Sequence, residues 1–152
     1  MIILKKHNIF FITLIFIFLL LTVSAYSGCR QYDGKLDISY FFKTEPEKSV
    51  IDFIFALNSK DAEYIYANYL TDSDRRNISR EKFLREMADI LSYVDNIEIQ
   101  RVLYLGYENN MSKVVIEFKV YYKNGQESDY KKYIYLVEEN GKWKIIFDKT
   151  FI

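Results

Sequence analysis

At Tyr93 the spacing of apolar residues switches from a helical period to strict alternation, which divides the chain into a helical half followed by a sheet half. Ahead of the switch, Thr44-Glu45-Pro46-Glu47 has the form of a helix start. A Thr cap is followed three residues on by Glu, completing a capping box, and a Pro is tolerated in the first turn. The spacing predicts a first helix over residues 45–57, with Val50, Phe53, Ile54 and Leu57 on one face. Ser59 or Asp61 caps a second helix that reaches Leu70 and carries Ala62, Ile65, Tyr66 and Tyr69. The polar residues 71–77 read as a link to a third helix, begun by Ser79 and running to Leu91. On it Phe83, Leu84, Met87, Ile90 and Leu91 make a buried stripe.

Past the switch, Ile97, Ile99 and residues 102–107 suggest a first strand, kinked where its alternation slips. In a second, Val114, Ile116, Phe118, Val120 and Tyr122 alternate with Val115, Glu117, Lys119 and Tyr121. Residues 129–138 and 142–147 give the third and fourth. Asn124-Gly125 and Asn140-Gly141 are hairpin signals, because both central residues of a type I′ turn need positive φ. A two-residue loop at Asn140-Gly141 sets Leu136 opposite Ile145, Ile134 opposite Phe147 and Glu138 opposite Trp143, so Trp143, Ile145, Phe147, Ile134 and Leu136 point inward. The same loop length at Asn124-Gly125 would bring Ile116 against Tyr133 and contradict that phase. A three-residue loop or a bulge repairs it, pairing Ile116 with Ile134. The expected fold class is α+β, three N-terminal helices packed on a curved four-stranded antiparallel sheet.

The head of the chain addresses location. Lys5 and Lys6 precede an apolar run of 15 residues (9–23) interrupted only by Thr13 and Thr22, and Ser24-Ala25-Tyr26-Ser27-Gly28 leads to Cys29, the single cysteine. A membrane-spanning helix wants about 20 apolar residues, so residues 1–28 read as an export signal that is removed. Ser27-Gly28-Cys29 resembles the end of a lipobox, which makes Cys29 the candidate lipidation site and the outer face of the cell membrane the expected location. Cleavage before Tyr26 to give a secreted chain, or retention as a single-pass anchor, are the alternatives. Residues 29–43 are then a tether and residues 44–152 the folded domain.

Composition excludes several chemistries. Removing residues 1–28 takes away Lys5 and Lys6 and no acid, leaving a slight acidic excess, so bulk charge does not point to nucleic acid. The one histidine, His7, lies in the signal, and Cys29 is consumed if lipidated. Ser-His and Cys-His nucleophiles and imidazole or thiolate zinc sites are therefore excluded from the domain. Neither a G-x-x-x-x-G-K-[ST] nor a G-x-G-x-x-G motif occurs among the five glycines. No cofactor or metal is expected.

Several candidate sites remain. Asp52 and Tyr66 could line the mouth of the domain as an acid/base pair, against the plainer reading of a solvated carboxylate and a core-edge phenol. Glu117 and Lys119, both outward on the second strand, read as members of cross-strand salt bridges or as simply solvated, and Asp72, Asp74, Arg75 and Arg76 as a charged loop that could bind a cation or a partner. Tyr121, Tyr133, Tyr135 and Ile146, with Val115 and Val137 nearby, fall on the sheet face away from the helices. They form a candidate interaction surface for a second copy or for another envelope protein.

Ser49-Val50-Ile51-Asp52-Phe53 with Ala56-Leu57, then Asp61, Tyr69-Leu70 and the closing Gly141-Lys142-Trp143-Lys144-Ile145-Ile146, resemble the nuclear-transport-factor-two-like superfamily. The chain is also similar to small lipoproteins of Gram-positive bacteria that carry such a domain. The resemblance implies an α+β cone whose curved sheet wraps the helices. Some members are isomerases, dehydratases or cyclases using Asp, Tyr and His inside the cone, and the histidines of several have no counterpart here. Others bind or dimerise, and fold does not decide between them. The expected function is a membrane-tethered, extracytoplasmic binding or interaction module without catalysis. The alternatives are a single-anchor assembly component of an envelope or conjugation machine, or a carboxylate/tyrosine enzyme on a small apolar substrate.

Overall fold

The computed structural model describes residues 38–151. Cys29, the expected signal and most of the expected tether lie outside the described residues. Two compact units divide the chain, Met1–Phe42 and Lys43–Ile152. The described part of the first is a 3-10 turn, Ile38–Phe42, in which the Tyr40 and Phe41 rings meet edge to face.

The second unit carries five helices and a four-stranded sheet: α1 (Glu45–Asn58), α2 (Ala62–Asn68), α3 (Asp72–Asn77), α4 (Arg80–Tyr93), β1 (Val94–Glu108), β2 (Met111–Tyr122), β3 (Glu127–Glu139), β4 (Lys142–Ile145) and α5 (Phe147–Thr150). Among these helices none is long and apolar enough to cross a membrane. The capping box at Thr44 forms: the Thr44 amide donates to Glu47 Oε2 at 2.8 Å and the Thr44 hydroxyl accepts from the Glu47 amide. Asp61, not Ser59, caps α2 by accepting from the Tyr64 amide, while Ser59 closes α1 by donating to the Phe55 carbonyl. The third expected helix starts at Ser79. Its buried stripe is narrower than expected, with Phe83, Met87 and Leu91 inside, Leu84 half-buried and Ile90 60% exposed.

Residues 71–77 are not a link but a short helix. A second capping box, Thr71 with Asp74, nucleates it, and an Asp72–Arg75 ion pair lies along it. Its residues carry no apolar period, so the pattern that revealed the other helices was silent there.

The sheet runs in sequence order, β1-β2-β3-β4, all antiparallel. The expected kink in β1 appears as register shifts at Val94/Asn96, Ile99/Arg101 and Tyr104/Gly106. Asn140 (φ 53°) and Gly141 (φ 72°) form the two-residue hairpin foreseen, with Leu136 opposite Ile145 and Glu138 opposite Trp143. A further hairpin of this kind, Asn109-Asn110, both at positive φ, joins β1 to β2.

At the β2–β3 turn the Tyr122 amide bonds the Gln126 carbonyl at 2.9 Å, leaving a three-residue loop that restores the phase as expected. The partners differ by two residues: Val114 faces Ile134 and Ile116 faces Lys132, because three loop residues set position 122 against 126. The expected Ile134–Phe147 pair does not form. Beyond Ile145 the chain turns, the Ile146 amide bonds the Tyr135 carbonyl, and Phe147 opens α5.

Val50, Ile54, Ile65, Leu70, Val114, Ile116, Leu136 and Ile145 form a nearly sealed core between α1, α2 and the sheet. Trp143 is only half-buried, so the inward set weighs less on it than expected. Lys144 is buried and donates to the Asn68 carbonyl at 2.7 Å, placing a cation at the C-terminal end of α2.

The buried Glu47 is set by competing effects. Burial pushes its carboxyl up, but hydrogen bonds from Thr44 and the Lys43 ammonium at 3.3 Å together outweigh it and hold it below the usual carboxylate range. A depressed folded value means the stabilisation is complete above the reference value of 4.5 and is lost as pH falls through the folded value. Glu47→Gln is expected to cost about 1 kcal/mol at neutral pH, the scale of a capping contact. The difference from the parent should shrink toward zero in acid, which denaturant melts across pH will read.

Candidate functional site

Register decides which side chains share the sheet face turned away from the helices. Leu103, Val115 and Tyr133 stand in one row across β1, β2 and β3, and Gly106, Lys113 and Tyr135 in the next. Ile146 adjoins Tyr135 through its backbone hydrogen bond. Val115 is buried at 6% exposure as the floor of this patch, while Leu103 (40%) and Tyr133 (46%) stand proud. Lys113 Nζ lies 4.5 Å from the Tyr133 ring centroid and Lys149 Nζ 5.0 Å from that of Tyr135, so two cations rim the aromatic surface.

In the other direction along the strands come two charged rows, Arg101-Glu117-Lys131 and then Glu98-Lys119-Asp129, whose signs alternate both within and between rows. Glu117 Oε1 lies 2.9 Å from Lys131 Nζ, and Lys119 Nζ lies 3.1 Å from Glu127 Oε1. The Lys131 hydrogen bond holds the Glu117 carboxyl down, and the matching bonds push the Lys131 and Lys119 ammoniums up, so all keep their charge at neutral pH. Of the two readings left open for Glu117 and Lys119, cross-strand salt bridges rather than simple solvation are present.

Tyr121 lies beyond these rows. Its hydroxyl donates to Glu98 Oε2 at 2.7 Å, a bond that pushes its own ionisation up. Six strand residues, about 20 Å, separate it from Val115. Of the four residues assigned to the interaction surface, the structure brings Tyr133, Tyr135 and Ile146 together and sets Tyr121 apart.

On the helix side, the Tyr66 hydroxyl faces the Ile78 carbonyl at 3.5 Å and its ring lies against Phe83. Asp52 is half-buried on α1. The two carboxylates that are buried, Glu47 and Asp74, each sit in a capping box. Among the described residues no cluster of three or more Asp, Glu, His or Cys could hold a metal ion.

Sequence reasoning missed one aromatic group. Phe118 and Tyr130 stack at 5.5 Å and 22°, and the Tyr130 and Tyr122 hydroxyls lie 2.8 Å apart. Tyr122 also borders an open hollow with Ser92, Tyr93, Lys123, Asn124 and Gln126. The shared even numbering of Phe118, Tyr122 and Tyr130 was the available signal.

Helices followed by a bulged antiparallel meander, with a sealed core and an outward sheet face, define the α+β cone of the NTF2-like superfamily. Within it, the chain belongs to the family described as the NTF2-like N-terminal transpeptidase domain, which matches residues 45–152. No curated protein matches it. Among solved structures it is similar to one described as an NTF2-like transpeptidase candidate from Campylobacter jejuni, at 17% identity and a TM-score of 0.46 over 68% of this chain and 98% of that one. A candidate aromatic ring hydroxylase from Novosphingobium aromaticivorans gives 10% identity and a TM-score of 0.47 over 66% of this chain and 84% of that one. A candidate calcium/calmodulin dependent protein kinase II association domain from Xanthomonas campestris gives 19% and 0.43 over 65% and 79%. At these scores none of them carries a function across.

Proposed function

We propose that this protein is a membrane-tethered, extracytoplasmic interaction module that docks another envelope protein on the Leu103-Val115-Tyr133-Tyr135 half of its outer sheet face and performs no catalysis of its own. The observation that carries the reading is the segregation of that face, with an apolar aromatic half rimmed by Lys113 and Lys149 and a self-neutralised charged half. A patch of this composition suits a partner that offers apolar side chains and carboxylates. The family description names the domain as an N-terminal part of transpeptidases, and a surface-presenting role accords with that. The engagement of Glu47 and Asp74 in caps supports the non-catalytic part, since both carboxylates are committed to structural hydrogen bonds, and a general acid wants a raised pKa where that of Glu47 is held down. The tether is assigned to a lipid on Cys29, from Ser27-Gly28-Cys29.

Two measurements test this. Mass spectrometry of membrane-extracted protein is expected to find a lipid-bearing Cys29 at the N-terminus; an intact Met1, or a start at Tyr26, refutes the tether. A photo-crosslinking residue at position 133 in intact cells is expected to trap one discrete adduct with a protein other than a second copy of the chain, lost when Leu103→Asp is added, whereas position 121 traps no such adduct. Equal trapping at both positions, or none at 133, refutes the docking face.

A further inference from the structure

β4 pairs only with Leu136, Val137, Glu138 and Glu139 of β3. Tyr135 is satisfied by Ile146 and by the Thr150 hydroxyl, at 2.9 and 3.2 Å. From Glu127 to Tyr133, the side of β3 away from β2 meets no strand among the described residues. The Tyr135 amide and carbonyl both point to that side. β3 runs against β2 without a register shift, so the two-residue alternation turns the N–H and C=O of Tyr133, Lys131, Asp129 and Glu127 the same way. Such an unpaired, regular edge is a template for another strand.

The opposite edge of the sheet is closed to this. β1 carries three register shifts, Asn58 both donates to and accepts from the Ile97 backbone at 2.8 Å, and Lys43 takes the Val102 carbonyl. Bulges and side-chain plugs of that kind blunt an edge. β3 has neither over its open stretch.

We propose that two copies of this chain pair antiparallel along the open edge of β3, centred on Tyr130, to make one continuous sheet. The occupant follows from the self-complementary sequence Glu127-Ser128-Asp129-Tyr130-Lys131-Lys132-Tyr133. Only alternate residues face out, so the two identical strands must set Glu127, Asp129, Lys131 and Tyr133 against the same set. Centring on Tyr130 places Asp129 opposite Lys131 twice and engages all four outward residues. Centring on Asp129 sets two carboxylates face to face, and centring on Lys131 sets two ammoniums, both unfavourable cross-strand pairs. Charge therefore selects a single register. In it Lys131 sits between Glu117 of its own sheet, 2.9 Å away, and Asp129 of the second copy.

The other face agrees. Tyr130, 39% exposed and already stacked on Phe118, falls directly opposite its own copy, where aromatic cross-strand pairs are favourable. An edge lysine ordinarily repels a foreign strand. Here the Asp129 pairing makes the same lysine selective for a second copy. The inference does not depend on the outer-face docking reading, because Asp129, Tyr130 and Lys131 set the register; only Tyr133, which falls opposite Glu127 of the second copy, belongs to both surfaces.

The test is charge exchange in the full chain, held in mild detergent and followed by sedimentation velocity. Asp129→Lys puts two lysines against two lysines, and Lys131→Asp puts acids against acids. Each variant alone is expected to weaken self-association by about tenfold or more. An equimolar mixture of the two regains it, since each strand then supplies the charge that the other lacks. Circular dichroism will confirm that both fold, as expected for exposed side chains. Leu103→Asp is expected to leave self-association, and any adduct of position 133 with a second copy, unchanged while abolishing the adduct of position 133 with another protein, which separates failure of one reading from failure of the other. A parent chain that is monomeric at about 100 μM, single variants that associate like the parent, or a mixture that stays monomeric would each overturn the pairing.

Discussion

Phe53→Ala is expected to destabilise the domain by about 3–5 kcal/mol, as for truncation of a large buried aromatic. Phe53 is 3% exposed on the inner face of α1 and meets Tyr69 at 5.5 Å, Phe147 at 5.9 Å and Phe151 at 6.1 Å. Phe147 in turn meets Phe83, and Phe83 meets Tyr66, so rings from α1, α2, α4 and α5 form one connected group with Phe53 near its centre. Removing it opens a cavity bordered by Tyr69, Phe147 and Phe151. Trp143→Ala, at a half-buried position with its carbonyl fixed by Ser49, is expected to cost distinctly less. Urea unfolding of both variants reads the order directly. A Phe53→Ala loss under about 1 kcal/mol would show that the ring cluster is not the keystone of the helical layer. A double-mutant cycle with Phe147→Leu should return a coupling of about 0.5–1.5 kcal/mol, the usual worth of an aromatic pair beyond its area.

That Phe147 belongs to this cluster could not be read from the sequence, and the reason is instructive. Residues 142–145 alternate and Ile146-Phe147 continue the apolar run, so pattern alone extends β4 through Phe147. The chain leaves the strand after Ile146 because tertiary contacts take over: the Ile146 amide still bonds the Tyr135 carbonyl in the ladder register, but the Tyr135 amide turns to the Thr150 hydroxyl and Asp74 receives the Phe147 amide. Asp74 lies 73 residues from Phe147, beyond the reach of any local pattern. The hairpin phase, by contrast, was legible because Asn140-Gly141 fixes a turn type locally and one turn type fixes a whole face. The fold family was legible for the same reason, since it rests on core and turn positions. The split of the outer face was within reach too. Glu117 and Lys119 share the parity of Val115 and Tyr121 on β2, and placing all four on one face already puts two charges between the apolar end and Tyr121. The open stretch of β3 was not, because it exists only through the early end of β4.

Asp74 is the other residue whose removal should be felt across elements. Its Oδ2 accepts from the Thr71 hydroxyl at 2.6 Å, the Thr71 amide at 3.3 Å and the Phe147 amide at 3.3 Å, and the Asp74 amide donates back to Thr71 Oγ1 at 3.0 Å. One buried carboxylate thus starts α3 and also receives the first amide of α5, joining the middle of the chain to its last helix. Asp74→Ala leaves the buried Thr71 donors and the part-buried Phe147 amide without this acceptor. The expected cost is about 2–4 kcal/mol, a lost cap plus a buried unsatisfied donor. Asp74→Asn, which keeps one acceptor oxygen, is expected to fall between the parent and Asp74→Ala. Hydrogen exchange distinguishes a local from a shared role. If Asp74 only caps α3, protection falls within residues 72–77 alone; if it also holds α5, the amides of residues 147–151 lose protection in the same variant. The second pattern is expected, and intact protection of residues 147–151 in Asp74→Ala would confine the residue to its cap.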